Sequence, residues 1–172
     1  TSPFLASEQA VVFTGAMDYW ANVDAVRWFS EEVWPGIFQQ YPQLHFMIVG
    51  GNPSTEVKEL AKLPGIVVTG RVEDVRPYIQ HALLVVAPLR IARGIQNKVL
   101  EAMSMNKVVV ATAMAMEGIN APQSAWLRQT DVAAEFKTHC LEVLAAPVTA
   151  IGARAWIIDH FTWAATLEPL KQ

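Results

Sequence analysis

Cysteine is nearly absent: Cys140 is the single one in 172 residues. It cannot form an internal disulfide, and with no second cysteine near the four scattered histidines, His45, His81, His139 and His160, no zinc-binding spacing exists. A reducing, cytoplasmic setting fits best. Charge is also sparse, at 17% of residues, with 13 basic against 16 acidic side chains and a net charge of −3. That balance argues against nucleic acid as the main partner, although it leaves room for a local cationic pocket that takes a phosphate. Long apolar runs are missing too. The longest, Ala82 to Leu89, is about half of the ~20 residues that span a bilayer. No Gly-x-Gly-x-x-Gly and no Walker loop is present, which disfavours a standard dinucleotide or ATPase site. There is no internal repeat, no low-complexity tract and no visible domain boundary. Thr1 is not followed by a basic and then apolar leader, so the chain is expected to be a processed protein or a cut piece, without an export signal.

What the sequence does have is apolar content, 52% of residues. A chain of this length buries roughly two-thirds of its unfolded surface, enough for one domain with a full core. Short β-branched runs alternate with helical periodicity. The predicted strands are Ala10 to Thr14, Leu44 to Val49, Ile66 to Thr69, Leu83 to Ala87 and Val108 to Ala111, with a sixth at Trp126 to Arg128. Between them, Asn22 is expected to cap a helix running to about Gln40, with a place near a bound phosphate as the alternative; on that helix Val23, Val26, Phe29, Val33, Trp34 and Ile37 recur at helical spacing. Further helices are expected over Ser54 to Lys62, Asp74 to His81 and Gly94 to Met105. Two more follow, over Asp131 to Leu144 with Asp131 as cap, and from Ile151 to the end with a break near Phe161. Near-continuous apolar strands separated by helices predict an α/β fold: a doubly wound, Rossmann-like parallel sheet covered on both faces.

In such a sheet, ligands meet the loops that follow the strands. Three of these open on glycine, at Gly15, Gly50-Gly51 and Gly70-Arg71, and glycine either turns the chain there or lets backbone approach a ligand closely. The segment 88–112 is the most informative. On a helix, Gly94, Asn97, Lys98 and Glu101 share one arc, while Ile95, Val99, Ala102 and Met103 form a separate, core-facing one. Free N–H groups and the positive dipole end at Gly94 would suit an anion, with Lys98 one turn in and Glu101 placed to accept from a sugar diol. The alternative is a solvated face with a Lys98–Glu101 pair contributing a few tenths of a kcal/mol. Trp28, Trp34, Trp126, Trp156 and Trp163 are expected to be packing residues, and His81 and His160 structural.

Leu100-Glu101-Ala102-Met103-Ser104-Met105-Asn106-Lys107-Val108-Val109-Val110-Ala111-Thr112 resembles a segment of the retaining nucleotide-sugar glycosyltransferases of the GT-B fold, the large family called glycosyl transferases group one. There a helix ends in Leu-Glu-Ala-Met-Ala before Gly-(Lys/Arg)-Pro-Val-Val-Ala-Thr. Phe13-Thr14-Gly15, Phe46 to Gly51 and Val68 to Asp74 agree with the same family in order, as does the tail Ala153-Arg154 with His160-Phe161-Thr162-Trp163. Within the family, 14–29 and 92–103 look most similar to bacterial sugar transferases of exopolysaccharide loci, including the exosortase-associated group.

The resemblance implies that residues 1–172 form the C-terminal, nucleotide-sugar (donor) binding domain of a two-domain transferase, with the N-terminal acceptor domain outside this chain. It implies a nucleotide diphosphate sugar as donor, retention at the anomeric carbon, and a saccharide or lipid-linked acceptor reached through the missing domain. No nucleic acid and no metal cofactor is expected, since neither a DxD motif nor another carboxylate cluster is apparent. A cytoplasmic enzyme is implied, with room for a peripheral position at the inner face of the membrane, and the isolated fragment is expected to be inactive. Glu101 matches the second glutamate of the family's E-x7-E motif, which holds the donor ribose. The first falls on Arg93, a departure that affects the contact with the donor sugar, and the family's cationic pair after the first strand is also missing. The cations left to balance a diphosphate leaving group are Lys98, favoured as the catalytic one, then Arg93, with Arg90 near them. The nucleobase is expected near Gly50, Gly51, Arg71 and Val72; Gly15, Gly94 and Asn97 complete the expected binding set. Two other readings stand beside this: a nucleotide-sugar epimerase of the same fold, and a non-catalytic regulatory or partner domain that has lost donor binding.

Overall fold

The computed structural model describes residues 2–3, 9–92, 94–146 and 151–160, the backbone alone at residue 151. Six parallel strands form one sheet in the order β3-β2-β1-β4-β5-β6. They are β1 (Gln9–Thr14), β2 (Leu44–Val49), β3 (Ile66–Gly70), β4 (Leu84–Ala87), β5 (Val109–Ala111) and β6 (Leu127–Gln129). The order reverses between β1 and β4, which diverge from a common centre, so the sheet is doubly wound as expected. β1 pairs with β2 from Gln9 opposite Leu44 to Thr14 opposite Val49. Ala10, Val11, Val12 and Phe13 have no accessible surface, which accounts for the unbroken apolar run of a strand covered on both faces.

The first helical stretch departs from the expected single helix capped by Asn22. α1 (Trp20–Trp28) starts three residues earlier, with Tyr19 as its cap residue, and passes through a π-helical turn, Phe29–Val33, into α2 (Trp34–Gln40). Pro35 supplies the reason. It has no N–H for the carbonyl four residues back, and the chain widens just before it, with Trp34 N–H donating to Phe29 O, five residues earlier. The wide turn aims Phe29 and Trp34 at the sheet together. Both pack on Phe46 of β2, with ring centroids 4.6 and 5.8 Å away, and the Trp34 indole N–H donates to Pro64 O at 2.8 Å. Trp34 is core, as expected, whereas Trp28 is half-buried and meets Phe136 edge to face.

α3 (Thr55–Leu60) is capped by Ser54, whose hydroxyl accepts from Val57 N–H. α4 (Arg76–Gln80) starts two residues after Asp74, whose carboxylate accepts from Arg76 N–H. α5 (Asn97–Ser104) begins three residues later than the periodicity suggests, because Gly94 takes a left-handed φ of 72° and Gln96 is extended. Its end turns on Asn106. Asn106 adopts φ 56°, its N–H donates to Met103 O, and Lys107 N–H donates to Ala102 O, a Schellman closure in which asparagine is the next best residue. α6 (Ala133–Ala145) is preceded by Val132, not capped by Asp131; the Asp131 carboxylate accepts from Ala113 N–H instead. α7 (Ile151–His160) lies against α5, to which Arg154 is tied through Ser104 O and Asn106 Oδ1. His160 stacks on Trp156 at its end, and the expected break near Phe161, with Trp163, lies outside the described residues. Among the described residues no helix is long and apolar enough to cross a membrane.

Candidate functional site

At the carboxyl ends of the strands, where the sheet order reverses, the loops after β1, β2 and β3 and the first turns of α5 enclose a cleft of about 570 Å³. One wall is backbone. Gly15 N–H donates to Val49 O at 3.0 Å, Met17 N–H to Gly51 O at 2.9 Å, and Ser54 N–H to Met17 O at 3.1 Å. These bonds zip the loops after β1 and β2 into one surface. The zip requires glycine at 50, because a Cβ there would stand 1.7 Å from Gly15 O. A Cβ on Gly15 would in turn meet the Asn22 amide at 2.7 Å.

The facing wall consists of side chains from the start of α5: Gln96, Asn97, Lys98 and Glu101. Lys98 is in the first turn of that helix, closer to its free N–H groups than a helix starting at Gly94 would place it. Its Nζ donates to Asn22 Oδ1 at 3.1 Å, approaches Gln96 Oε1 at 3.5 Å and lies 5.1 Å from the centre of the Phe13 ring. No carboxylate bonds to it among the described residues. Burial without a charged partner pushes the ammonium down to a pKa of about 8.

The structure therefore gathers Gly15, Gly50, Gly51, Arg71, Val72, Asn97, Lys98 and Glu101 around one cleft. It separates others. Gly94 sits in the turn before α5 and does not line the cleft. Arg90 turns away, forming a two-point ion pair with Asp24 of α1 (3.0 and 2.6 Å) and resting 6.0 Å from the Trp28 ring centre. In this arrangement it does not line the cleft. Arg93 lies outside the described residues. Ile95, expected in the core with Val99, Ala102 and Met103, is 45% exposed and lines the cleft, while those three are buried.

Asn22 is not the helix cap, the first of its two expected roles; the structure puts it in the cleft lining. It is an internal residue of α1, 5% exposed, and its Nδ2 donates to Ala16 O at 3.0 Å while its Oδ1 holds Lys98. The available signal was a polar residue on the apolar arc of the helix, one residue ahead of Val23. Gln96 was missed as well, because a continuous helix from Gly94 would put it on the face opposite Lys98, whereas it is the extended residue before α5. Among the described residues no group of three or more His, Cys, Asp or Glu side chains could hold a metal ion.

The fold and the cleft at the point of reversal define a doubly wound α/β domain with a ligand site of the kind that holds nucleotides on parallel sheets. The chain belongs to the family described as glycosyl transferases group 1, which matches residues 8–146. Comparison with curated protein sequences returns no match. Among solved structures, a glycosyltransferase from Rickettsia africae ESF-5 is similar at a TM-score of 0.74 and 18% identity, over 97% of this chain and 47% of that one. A sucrose-phosphate synthase from Thermosynechococcus elongatus gives 0.74 and 17%, over 98% and 45%. The Anabaena protein HepE, solved with UDP and glucose, gives 0.73 and 18%, over 96% and 48%. At these identities the likeness establishes the GT-B type of fold. The chain spans about half the length of each of these three structures.

Proposed function

We propose that this chain is the donor-binding half of a glycosyltransferase that moves a sugar, with retention, from a nucleotide diphosphate sugar to a saccharide or lipid-linked acceptor. The observation that carries the reading is the Lys98 ammonium, set at the end of β1 beside a glycine-backbone wall, in a cleft whose lining holds no other cation except Arg71 among the described residues. A departing diphosphate needs charge balance at that spot, and a preorganised ammonium in a partly desolvated cleft supplies it. Family membership and the UDP and glucose held by the Anabaena relative support a nucleotide-sugar donor. In this reading Lys98 is the catalytic cation, with Arg93 as the second, and Glu101 accepts from the donor ribose. Gly50, Gly51, Arg71 and Val72 receive the base, and Gly15 and Asn97 border the phosphates. Residues 1–172 act as the donor domain, with the acceptor held by a second domain of a longer protein. The resemblance of 14–29 and 92–103 to exopolysaccharide-locus transferases makes polysaccharide synthesis the proposed setting, in the cytoplasm or at the inner membrane face.

The test is calorimetric titration of the chain with UDP, GDP and ADP up to millimolar concentration. Binding of one of them, with uridine, guanosine or adenosine binding more weakly, is the expected result. No binding of any would sink the donor assignment and favour the non-catalytic reading, which Arg93 at the first glutamate position and the cation-free stretch 15–19 otherwise support.

A further inference from the structure

We propose that Asn22 is the positioning residue of the donor cleft: its side-chain amide fixes the Lys98 ammonium at the end of β1 and, through its other end, clamps the loop that follows β1. The inference rests on the donor reading of the cleft and extends it to a residue of the cleft lining that acts through Lys98.

Asn22 spends both ends of its amide. Nδ2 donates to Ala16 O at 3.0 Å, and Oδ1 accepts from Lys98 Nζ at 3.1 Å. One side chain on α1 thus ties the loop after β1 to the first turn of α5, the two walls of the cleft. The segment 15–19 carries no basic residue, so the cation at the end of β1 arrives from across the cleft and has to be held there. A lysine stem has four rotatable bonds, and without an anchor the ammonium would sample solvent. Gly15 confirms how tightly the amide is seated, since even a methyl group on it would collide with Asn22 Nδ2.

The chemistry of the anchor matters as much as its position. A carboxylate partner for this half-buried lysine would neutralise the ammonium and repel a phosphate. Here the partners are the carbonyl ends of two amides, Asn22 and Gln96, and the face of Phe13. They orient the ammonium and leave its charge uncompensated. The remaining charged side chains lining the cleft are Glu101, one turn further along α5, and Arg71 across the opening, and neither bonds to Lys98. A neutral anchor keeps the positive charge available for an anionic ligand. Asn22→Asp is therefore the discriminating change: it preserves shape and the oxygen that faces Lys98, adds a negative charge there, and replaces the donor to Ala16 O with a second acceptor.

The experiment uses the whole chain, with UDP, uridine and inorganic pyrophosphate as probes in calorimetry. The Lys98 side-chain carbon is followed by NMR through a pH titration and assigned by its loss in Lys98→Arg. Asn22→Asp is expected to raise the Lys98 titration midpoint by at least one pH unit and to weaken UDP and pyrophosphate at least tenfold, with uridine within twofold of the parent. Asn22→Ser, neutral and too short to reach Lys98, covers the case in which the aspartate variant does not fold. It is expected to weaken UDP several-fold and again leave uridine unchanged. An unmoved Lys98 midpoint in Asn22→Asp overturns the proposal, as does equal loss of UDP and uridine in either variant. If the parent binds none of the probes, the donor reading fails. The midpoint shift then still decides whether Asn22 governs Lys98.

Discussion

The two walls of the cleft work in opposite ways. The wall from the loops after β1 and β2 functions because side chains are missing: Gly50 lies so close to Gly15 O that a single added carbon has no room. The wall from α5 functions because particular side chains are present, with Lys98 held by Asn22 and Gln96 and with Glu101 a turn away. Backbone donors and acceptors are fixed by the sheet and cannot be tuned one residue at a time. Side chains can be, and the cleft places its charge on them. The first wall is therefore sensitive to atoms gained, and the second to atoms lost.

The largest break is expected from Gly50→Ala. The new methyl group forces the loops after β1 and β2 apart, at a cost of about 3 kcal/mol, toward the upper end of overpacking effects. Urea unfolding would register it as a lower midpoint, and nucleotide binding should fall with it. A stability within about 0.5 kcal/mol of the parent would show that the two loops are not locked as the structure has them.

Lys98→Ala should act on the opposite wall and on binding alone. Loss of a hydrogen bond to a charged group, worth about 1.5 to 3 kcal/mol, predicts weakening of nucleoside diphosphate by about tenfold or more, with the nucleoside little changed. Stability should hold or rise slightly, because the variant no longer buries an ammonium. Equal weakening of nucleoside and diphosphate would remove Lys98 from the phosphate site.

The pH dependence sharpens this further, because free protein and complex should respond with opposite signs. Lys98 has a folded pKa of about 8 against an ordinary value of 10.5. A base with a lowered folded pKa binds fewer protons folded than unfolded between those values, so its contribution to the stability of the free protein rises from about pH 8 to 10.5. Diphosphate binding needs the ammonium form and raises its pKa. Affinity should be highest below about pH 8 and fall by up to about tenfold per pH unit above it. Isothermal titration in buffers of differing ionisation heat would detect the accompanying proton uptake. A flat profile from pH 7 to 10 would contradict the assignment.

The smallest effect lies behind the glycine wall. Ser54→Ala removes the cap of α3, beside the bond that joins Ser54 N–H to Met17 O, and should cost about 1 kcal/mol in a thermal melt. Diphosphate affinity should stay within a few-fold of the parent.

Much of the fold was legible because it depends on burial. Strands such as Leu44–Val49 must be apolar throughout when both faces are covered, and each one predicted has its counterpart in the sheet. The loop after β2 placed Gly50, and the helical arc placed Lys98 with Glu101, at the same edge of the sheet. Helix boundaries were less legible, since Gly94 and Gln96 adopt non-helical backbone where periodicity continues, and Pro35 acts on the turn before it. Asn22 was not legible as an anchor because cap and internal anchor call for the same residue type, and only the position of Ala16 O separates them. Proximity along the chain to the informative segment did not reveal that Asp24 pairs with the Arg90 guanidinium.

By itself, the sequence determined the alternation of strand and helix, the glycines that follow the strands and the placing of the chain in its family. These follow from local periodicity, from backbone freedom at single residues and from motifs with fixed spacing. Only the tertiary structure showed that Lys98 reaches the cleft and what holds it there. Lys98 and Asn22 are 76 positions apart and meet because β1 and β4 lie side by side at the centre of the sheet. Hydrogen-bond reach is set in space, and the linear order of residues carries no record of it until the sheet has formed.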